Sequence, residues 1–180
     1  SLNIAGVNDA PDITNQVDVL AAGTEDTTYT FTAATLLSGI TDVETQADLT
    51  VLAGVTANNG TLTRNGDDFS FAPDQDFNGT VNINFVVSDT AGANVSTSAS
   101  FTIQAVNDAP ELTGQKTVFA SGSEDFNYTF TNQQLLAGFT DVENSDLQVT
   151  DLDLTDASGN AVGSFSETSN TWTLEPNADF

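Results

Sequence analysis

Apolar and polar residues alternate along several stretches of the chain with a period of two. The two clearest stretches place apolar or small side chains at every second position: Val81, Ile83, Phe85 and Val87, and then Val95, Thr97, Ala99, Phe101, Ile103 and Ala105. Because successive side chains of a strand point to opposite faces, this pattern predicts half-buried strands of an antiparallel sheet.

Short sequences rich in Asn and Gly separate these stretches. They are Asn58-Asn59-Gly60, Asn65-Gly66, Asn78-Gly79 and Ala91-Gly92. Such sequences favour tight turns, and their spacing is typical of a sandwich. We therefore expect an all-β fold, with about seven strands per repeat in an immunoglobulin-like Greek-key arrangement.

One short helical turn is predicted to interrupt the strands, at residues 34–39 and again at residues 133–138. Thr131 and Gln134 have the spacing of a capping box, and Gly138 is placed to end the turn. The Leu pairs within these turns are expected to fill the core.

The chain repeats itself with an offset of 99 residues. Val7-Asn8-Asp9-Ala10-Pro11 returns as Val106-Asn107-Asp108-Ala109-Pro110. The same offset relates four further segments, namely Glu25-Asp26 to Glu124-Asp125, Tyr29 and Phe31 to Tyr128 and Phe130, Leu36-Leu37 to Leu135-Leu136, and Thr41-Asp42-Val43-Glu44 to Thr140-Asp141-Val142-Glu143. Later in the repeat the offset is 103, because the second copy has gained four residues, and an insertion of this kind belongs in a loop.

The repeat predicts the domain organisation. Residues 1–6 correspond to residues 100–105 and are expected to form the last strand of a preceding repeat. Residues 7–106 form one complete repeat. Residues 107–180 form a second repeat that lacks counterparts of the final strands, whether through truncation or because the domain is split by an inserted module.

Such an incomplete repeat has lost much of its core. The apolar residues without counterparts include Val81, Ile83, Phe101 and Ile103. At ~1.5–3 kcal/mol for each buried side chain, this loss would exceed the ~5–15 kcal/mol that stabilises a typical domain. We therefore expect open strand edges near Trp172 and Leu174, covered by strands of another chain or fragment.

Charge narrows the classes of function. The 26 acidic residues face only Arg64 and Lys116, for a formal net charge of -24. Nucleic acid and direct contact with anionic membrane are not expected as partners, because both need Lys and Arg. The surplus of acidic residues has two explanations: a surface adapted to salty surroundings, or bound hard cations. Among such cations, Ca²⁺ favours oxygen-rich sites.

Missing residue types narrow the chemistry further. The chain has no Cys and no His, which removes disulfides, thiol nucleophiles, imidazole bases and the usual zinc ligands. Asp67-Asp68 is an acidic pair without a nucleophile or pocket signature, so we expect no enzyme. No stretch approaches the ~18 apolar residues of a membrane helix, and an export signal is expected elsewhere in the parent protein.

The repeated motifs resemble a known family. Asn107-Asp108-Ala109-Pro110, the Leu-Leu-x-Gly turn and Thr140-Asp141-Val142-Glu143 are similar to the cadherin-like tandem repeats of giant, RTX-type bacterial surface adhesins. Phe71-Ala-Pro-Asp-x-Asp-Phe-Asn-Gly-Thr and the Ser-Asp pair ending at Asp89 are similarly typical. The resemblance implies an extracellular, non-catalytic scaffold at the bacterial cell surface, active in adhesion and biofilm formation, whose partners are neighbouring repeats and a possible inserted ligand-binding module.

The resemblance also implies calcium between successive repeats. The ligands of the junction would be Glu25, Asp74 or Asp76, Asn107, Asp108, Asp141 and Glu143. An equivalent upstream set would be Asn8, Asp9, Asp42 and Glu44, while Glu124 and Asp179 would face the next repeat. Carboxylates gathered at one end of a module repel one another, and a cation taking ~6–8 oxygen ligands reverses that repulsion.

The linker sequence has a purely local explanation as well. Proline disfavours helical conformation at the preceding Ala109, and the Asx side chains can bond their own backbone.

Two other sequence features are interpreted as structural and not as binding sites. Asp151-x-Asp153-x-x-Asp156-x-x-Gly159 has the acids of an EF-hand loop, but its glycine stands at the ninth position instead of the sixth, which favours a surface hairpin. Trp172 corresponds to Phe69 and is expected in the core.

The alternative function for the chain is a module that itself binds a carbohydrate or protein, which would need an exposed aromatic cluster or a concave polar pocket.

Overall fold

The chain folds into two compact units, the first ending at Val106 and the second beginning at Asn107. The structure is a computed structural model and describes residues 6–44, 48–123 and 125–178. The segment expected to end a preceding repeat, residues 1–6, lies almost wholly outside the described residues.

The first unit contains two sheets and one helical turn. Its elements are β1 (Gly23–Thr24), β2 (Tyr29–Thr32), α1 (Ala33–Leu36), β3 (Thr50–Val51), β4 (Thr56–Ala57), β5 (Gly60–Asn65), β6 (Asp68–Pro73), β7 (Gly79–Ser88) and β8 (Asn94–Gln104). One sheet has the order β1-β8-β7-β3, with β4 also paired to β7, and the other has the order β2-β6-β5.

The long hairpin β7–β8 is the centre of the larger sheet. Its register runs from Gly79 opposite Ile103 to Ser88 opposite Asn94. β1 pairs with β8 in parallel, and the short strands β3 and β4 pair with β7. The alternation read from the sequence is confirmed here, because Val81, Ile83, Phe85 and Val87 are all buried.

The core of the first unit lies between its two sheets. Phe31, Phe69 and Phe71 come from the smaller sheet and pack in one cluster with the inward residues of β7 and β8. Phe101 is central, with ring centroids 4.3 Å from Tyr29 and 5.4 Å from Phe71. The predicted all-β sandwich is thus confirmed. The described residues of the first unit form eight strands rather than about seven, since three of these strands are two-residue segments.

The second unit contains β9 (Glu111–Leu112), β10 (Tyr128–Thr131), α2 (Asn132–Leu135), β11 (Phe139–Thr140), β12 (Gly163–Thr168) and β13 (Thr171–Pro176). The order β10-β13-β12 repeats the order β2-β6-β5 of the first unit. The pairing of Phe130 with Trp172 repeats that of Phe31 with Phe69, and Trp172 is buried as expected.

One expectation for the second unit is wrong. Trp172 and Leu174 were expected beside an open strand edge, but β13 is the middle strand, hydrogen-bonded to β10 on one side and β12 on the other. Leu174 is 6% exposed. The pattern of residues 163–176 could not show this, because alternation reports the faces of a strand and not its neighbours.

The two helical turns begin one residue earlier than predicted and continue as turns to Gly39 and Gly138. Thr131 Oγ1 accepts a hydrogen bond from the Gln134 amide, and the Thr131 amide donates the reciprocal bond to Gln134 Oε1, so the predicted capping box is confirmed. Leu36 is fully buried in the first unit, whereas Leu135 is only half-buried in the second.

Candidate metal site

The entry end of the first unit is ordered by Asp42 and Glu44. A backbone bridge between Asp12 and Thr41 holds the acidic segment against the linker sequence. The Glu44 amide donates to Asp42 Oδ1 at 3.0 Å, and Glu44 Oε2 accepts from the Asp9 amide at 3.3 Å. These bonds, one between near neighbours and one between residues 35 positions apart, fix the direction of two carboxylates at one end of the sandwich.

Asp89 belongs to the same end of the first unit and was not among the predicted site residues. It follows β7, and its Oδ1 accepts from the amides of Gly92 and Ala93 at 2.6 and 2.9 Å. Asn8 Nδ2 donates to its Oδ2 at 2.7 Å, and this bond is the main reason that the pKa of Asp89 lies below its ordinary value. The available signal was an Asp at a strand end, three residues before a turn Gly.

The entry end of the second unit repeats this geometry. The Glu143 amide donates to Asp141 Oδ1 at 3.1 Å, and Glu143 Oε2 accepts from the Asp108 amide at 3.1 Å. The bridge between Asp12 and Thr41 returns as the pairing of Glu111 with Thr140. Asn107 Nδ2 donates to the Asp108 carbonyl, as Asn8 does to Asp9. The same predicted ligand types therefore meet in both repeats.

The exit end of the first unit holds Glu25, which is fully buried. It directly follows β1, and its amide donates to the Gln104 carbonyl at 3.0 Å. Its Oε1 accepts from the Val106 amide at 2.6 Å. One carboxylate oxygen is thus bound to the backbone where the strand β8 leaves the unit.

Asp74 and Asp76 lie on the turn between β6 and β7, at the same end of the first unit as Glu25. The sheet order places them there, since Ile103 of β8 is flanked by Gly79 of β7 and Gly23 of β1. Asp76 has a φ of 56°, in the left-handed region. Glu124 and Asp179, predicted for the far end of the second unit, lie outside the described residues.

Two carboxylate oxygens, at the exit end of the first unit and the entry end of the second, are suited to bind a cation. Within the described part of the chain, Glu25 Oε2 and Glu143 Oε1 are buried and have no hydrogen-bond partner. A buried, unpartnered carboxylate oxygen costs several kcal/mol unless a cation compensates it. The salt bridge found among the described residues joins Arg64 to Asp67, at 3.9 Å. An oxygen-rich, anionic donor set of this kind fits Ca²⁺.

Residues 155–161 form a hairpin, the structure that the sequence favoured over an EF-hand loop, and Asp156 is the acid within it. Asp156 Oδ1 accepts from the amides of Ser158 and Asn160, and Thr155 pairs with Ala161. Asp67 lies in the exposed turn between β5 and β6, where its salt bridge is to the nearby Arg64.

A family model for the cadherin-like domain matches residues 7–104 and again residues 106–180. No curated protein sequence matches the chain. Within the described residues, no helix is long and apolar enough to cross a membrane.

Several solved structures are similar over nearly the whole chain. Two of these structures are of an endo-fucoidan hydrolase from glycoside hydrolase family 107. The first shares 22% identity with a TM-score of 0.39 and covers 99% of this chain. The second shares 20% identity with a TM-score of 0.40 and covers 97% of this chain. The human desmocollin-1 ectodomain shares 13% identity over 98% of this chain, with a TM-score of 0.40. The chain spans only 26%, 25% and 32% of the lengths of these three structures.

Proposed function

Because the chain belongs to the cadherin-like domain family, we propose that it is a calcium-stiffened extender of a bacterial cell-surface adhesin, which spaces or hosts ligand-binding modules. Domains of this family are typically extracellular and generally bind calcium. The proposed partners are neighbouring repeats of the same parent chain. The proposal gives the chain a mechanical role and no catalytic one.

The observation that carries the proposal is the pair of buried carboxylate oxygens without hydrogen-bond partners, Glu25 Oε2 and Glu143 Oε1. Each is the second oxygen of a carboxylate whose first oxygen is fixed by a backbone amide, of Val106 and Asp108 respectively. This leaves each carboxylate oriented with one oxygen available for a cation.

The proposed ligands come from both units. The first unit would contribute Glu25 with Asp74 or Asp76, and the second Asp108, Asp141 and Glu143. Bound Ca²⁺ would supply positive charge to carboxylates that otherwise repel one another, at the linker that joins the repeats. Asn8, Asp9, Asp42 and Glu44 would serve the same purpose toward an upstream neighbour, and Asp89 would hold Asn8 in place.

Isothermal titration of the 180-residue chain with CaCl₂ tests the site. We expect dissociation constants of about 10⁻⁴ to 10⁻³ M, the range of extracellular modules. Glu25→Gln and Glu143→Gln keep the shape of the side chain but remove its charge, and each should weaken binding by about tenfold or more, which corresponds to ~1.4 kcal/mol. Glu167→Gln, on the exposed strand β12, is the matched control and should bind as the parent chain does.

Small-angle scattering with calcium and with chelator tests the stiffening. We expect a narrower distribution of shapes with calcium, and Glu143→Gln should give the broad distribution even when calcium is present. Equal titrations for the parent chain, Glu25→Gln and Glu143→Gln would refute the ligand assignment. Scattering that calcium does not change would refute the mechanical role.

The alternative, a module that itself binds a carbohydrate or protein, predicts a ligand that binds the isolated chain. Screening against immobilised glycans in calcium compares the two functions directly. A saturable glycan signal that survives Glu143→Gln would favour the binding module, because the extender needs no such ligand.

A further inference from the structure

The first unit contains three Asn-Gly pairs, Asn59-Gly60, Asn65-Gly66 and Asn78-Gly79. An Asn side chain loses its amide when the backbone nitrogen of the next residue attacks it, and Gly has no Cβ to obstruct that attack. The attack also requires a backbone nitrogen that is not committed to a hydrogen bond. The three pairs differ in this respect in the folded chain.

Asn65-Gly66 lies at the tip of the hairpin between β5 and β6. Asn65 is paired with Asp68, which leaves Gly66 and Asp67 as a two-residue turn. Gly66 has a φ of 64°, as the first central residue of a type II′ turn does. The bonds that close such a turn join the flanking residues, so the Gly66 amide lies outside the ladder. Asn65 and Gly66 are both exposed, and a Cβ on Gly66 would meet no atom within 4 Å.

The Asn59-Gly60 pair is held by its surroundings. Asn59 Nδ2 donates to the Thr80 carbonyl at 3.4 Å, and the Asn59 carbonyl accepts from the Asp74 amide at 3.0 Å. A Cβ on Gly60 would overlap the ring of Phe71, so this glycine is closely packed. Rotation of the Asn59 side chain onto the Gly60 nitrogen would break these contacts.

Gly79 is committed to the ladder of the larger sheet. The Asp89 amide donates to the Ala93 carbonyl at 3.1 Å, and in an antiparallel ladder every second pair exchanges such bonds. Counting back from that bond along the register of β7 and β8 makes Gly79 and Ile103 a hydrogen-bonded pair. The backbone nitrogen that would attack Asn78 is therefore engaged.

We propose that Asn65 is a site of spontaneous deamidation, selected by the fold among the three Asn-Gly pairs. The Gly66 nitrogen gives up its proton to solvent base and forms a bond with Asn65 Cγ, and the Cγ–Nδ2 bond breaks to release ammonia. Water then opens the resulting succinimide ring at one of its two carbonyls. The products are aspartate, or isoaspartate with the main chain passing through the side-chain carbons. This modification needs no enzyme and goes beyond the proposed function.

The modification alters a turn that other parts of the first unit contact. The Asp67 carbonyl accepts from the Ala33 amide at 2.7 Å where α1 begins, and Arg64 Nε donates to the Gly66 carbonyl at 2.7 Å. Isoaspartate lengthens the main chain of this turn by one carbon atom, so both bonds must shift. Each product also adds a negative charge next to Asp67 and Asp68 in the sequence. We expect the hairpin of β5 and β6 to loosen.

The corresponding turn of the second unit provides an internal control. Thr168 is paired with Thr171 around Ser169 and Asn170, so the two turns have the same length. Here the attacking nitrogen would belong to Thr171, whose pairing closes the turn and whose β-branched side chain crowds the approach. Asn170 should therefore keep its amide while Asn65 loses it.

The test incubates the 180-residue chain in heavy-oxygen water at mildly alkaline pH, and then maps its digest in ordinary water by mass spectrometry. Hydrolysis of the succinimide places one labelled oxygen in each product, so the label marks the residue that has reacted. We expect Asn65 to take up label about tenfold faster than the other two pairs or Asn170, a difference of ~1.4 kcal/mol in barrier. In denaturant the three Asn-Gly pairs should react at similar rates, because the fold no longer distinguishes them.

Two variants separate the added charge from the change in the main chain. Asn65→Gln keeps an amide but would have to form a larger, less favourable ring, so it should take up no label at that position. Freshly prepared Asn65→Asp carries the charge on an ordinary main chain. After ageing, amide exchange in β5 and β6 should be about tenfold faster in the parent chain than in Asn65→Gln, with Asn65→Asp between them.

Three results would overturn the proposal. The first is label at Asn59 or Asn78 that appears as fast as at Asn65 in the folded chain. The second is a preference for Asn65 that persists in denaturant, since the local sequence would then decide and not the turn. The third is an aged parent chain whose exchange in β5 and β6 equals that of Asn65→Gln.

Discussion

Asp156 shows how one carboxylate organises a whole turn. Its Oδ1 accepts from two backbone amides, those of Ser158 and Asn160, while its Oδ2 accepts from Asn160 Nδ2 at 3.1 Å. These bonds stabilise the charged form, so the pKa of Asp156 lies below the ordinary 3.8, with the Asn160 amide as the largest cause. The Asp156 carboxylate therefore stabilises the hairpin of residues 155–161.

This lowered pKa predicts how the turn responds to acid. A carboxyl with a depressed pKa in the folded state stabilises it fully above the ordinary value, and the contribution is lost as the pH falls through the folded pKa. We expect the amide resonances of Ser158 and Asn160 to shift with a midpoint below 3.8 in an NMR titration. Asn160→Ala should raise that midpoint. A midpoint at or above 3.8 in the parent chain would contradict the assignment.

The β8 strand shows what a single element contributes to the first unit. Its inward residues Ala99, Phe101 and Ile103 are buried, and Phe101 contacts aromatic rings of the opposite sheet. The contact between the two sheets therefore depends strongly on one ring.

Truncation of that ring should destabilise the first unit severely. Phe101→Ala is expected to cost about 3–5 kcal/mol, a large part of the ~5–15 kcal/mol that stabilises a typical domain. Faster hydrogen exchange in β2 and β6 would report the loss, with Phe101→Leu as a control of intermediate effect. Unchanged exchange with the Ala variant would mean that the cluster is not the core of this unit.

Long elements could be predicted from the sequence and very short ones could not. The β7 and β8 strands span 10 and 11 residues, enough for several periods of alternation. A two-residue strand such as β1, β3 or β4 has no period, and it exists because β7 or β8 offers it a partner. The capping box of α2 was predictable because its chemistry is local to Thr131 and Gln134.

Some features of the candidate metal site could likewise be predicted from the sequence, and others could not. Asp42, Glu44, Asp141 and Glu143 could be identified because the repeat preserves their spacing. The burial of Glu25 and its bond to Val106 join residues 81 positions apart, which no local pattern reports. Arg64 is similar, since its bond to the Leu52 carbonyl and its position over the Phe69 ring depend on how the strands pack.

At the scale of the whole molecule, a formal net charge of -24 on 180 residues is a source of self-repulsion. Salt shortens the range of that repulsion, from ~30 Å at 0.01 M to ~3 Å at 1 M. We expect the melting temperature to rise with NaCl across this range in calorimetry.

Calcium at matched ionic strength should raise the melting temperature further, because a bound ion stabilises the folded state by mass action, by ~2.7 kcal/mol at a hundred times its dissociation constant. Glu143→Gln should keep the NaCl response and lose the calcium increment. Identical curves in NaCl and CaCl₂ for the parent chain would show that calcium acts only by screening.

The position of the β7–β8 hairpin in the first unit has a consequence for biosynthesis. A polypeptide emerges from its N-terminus, and Gln104, the end of β8, is the last residue that the larger sheet requires. Until it emerges, the nascent repeat can form the smaller sheet but leaves Phe31 and Phe71 facing water. Each such repeat is therefore vulnerable to aggregation during synthesis for as long as its central hairpin is still inside the ribosome.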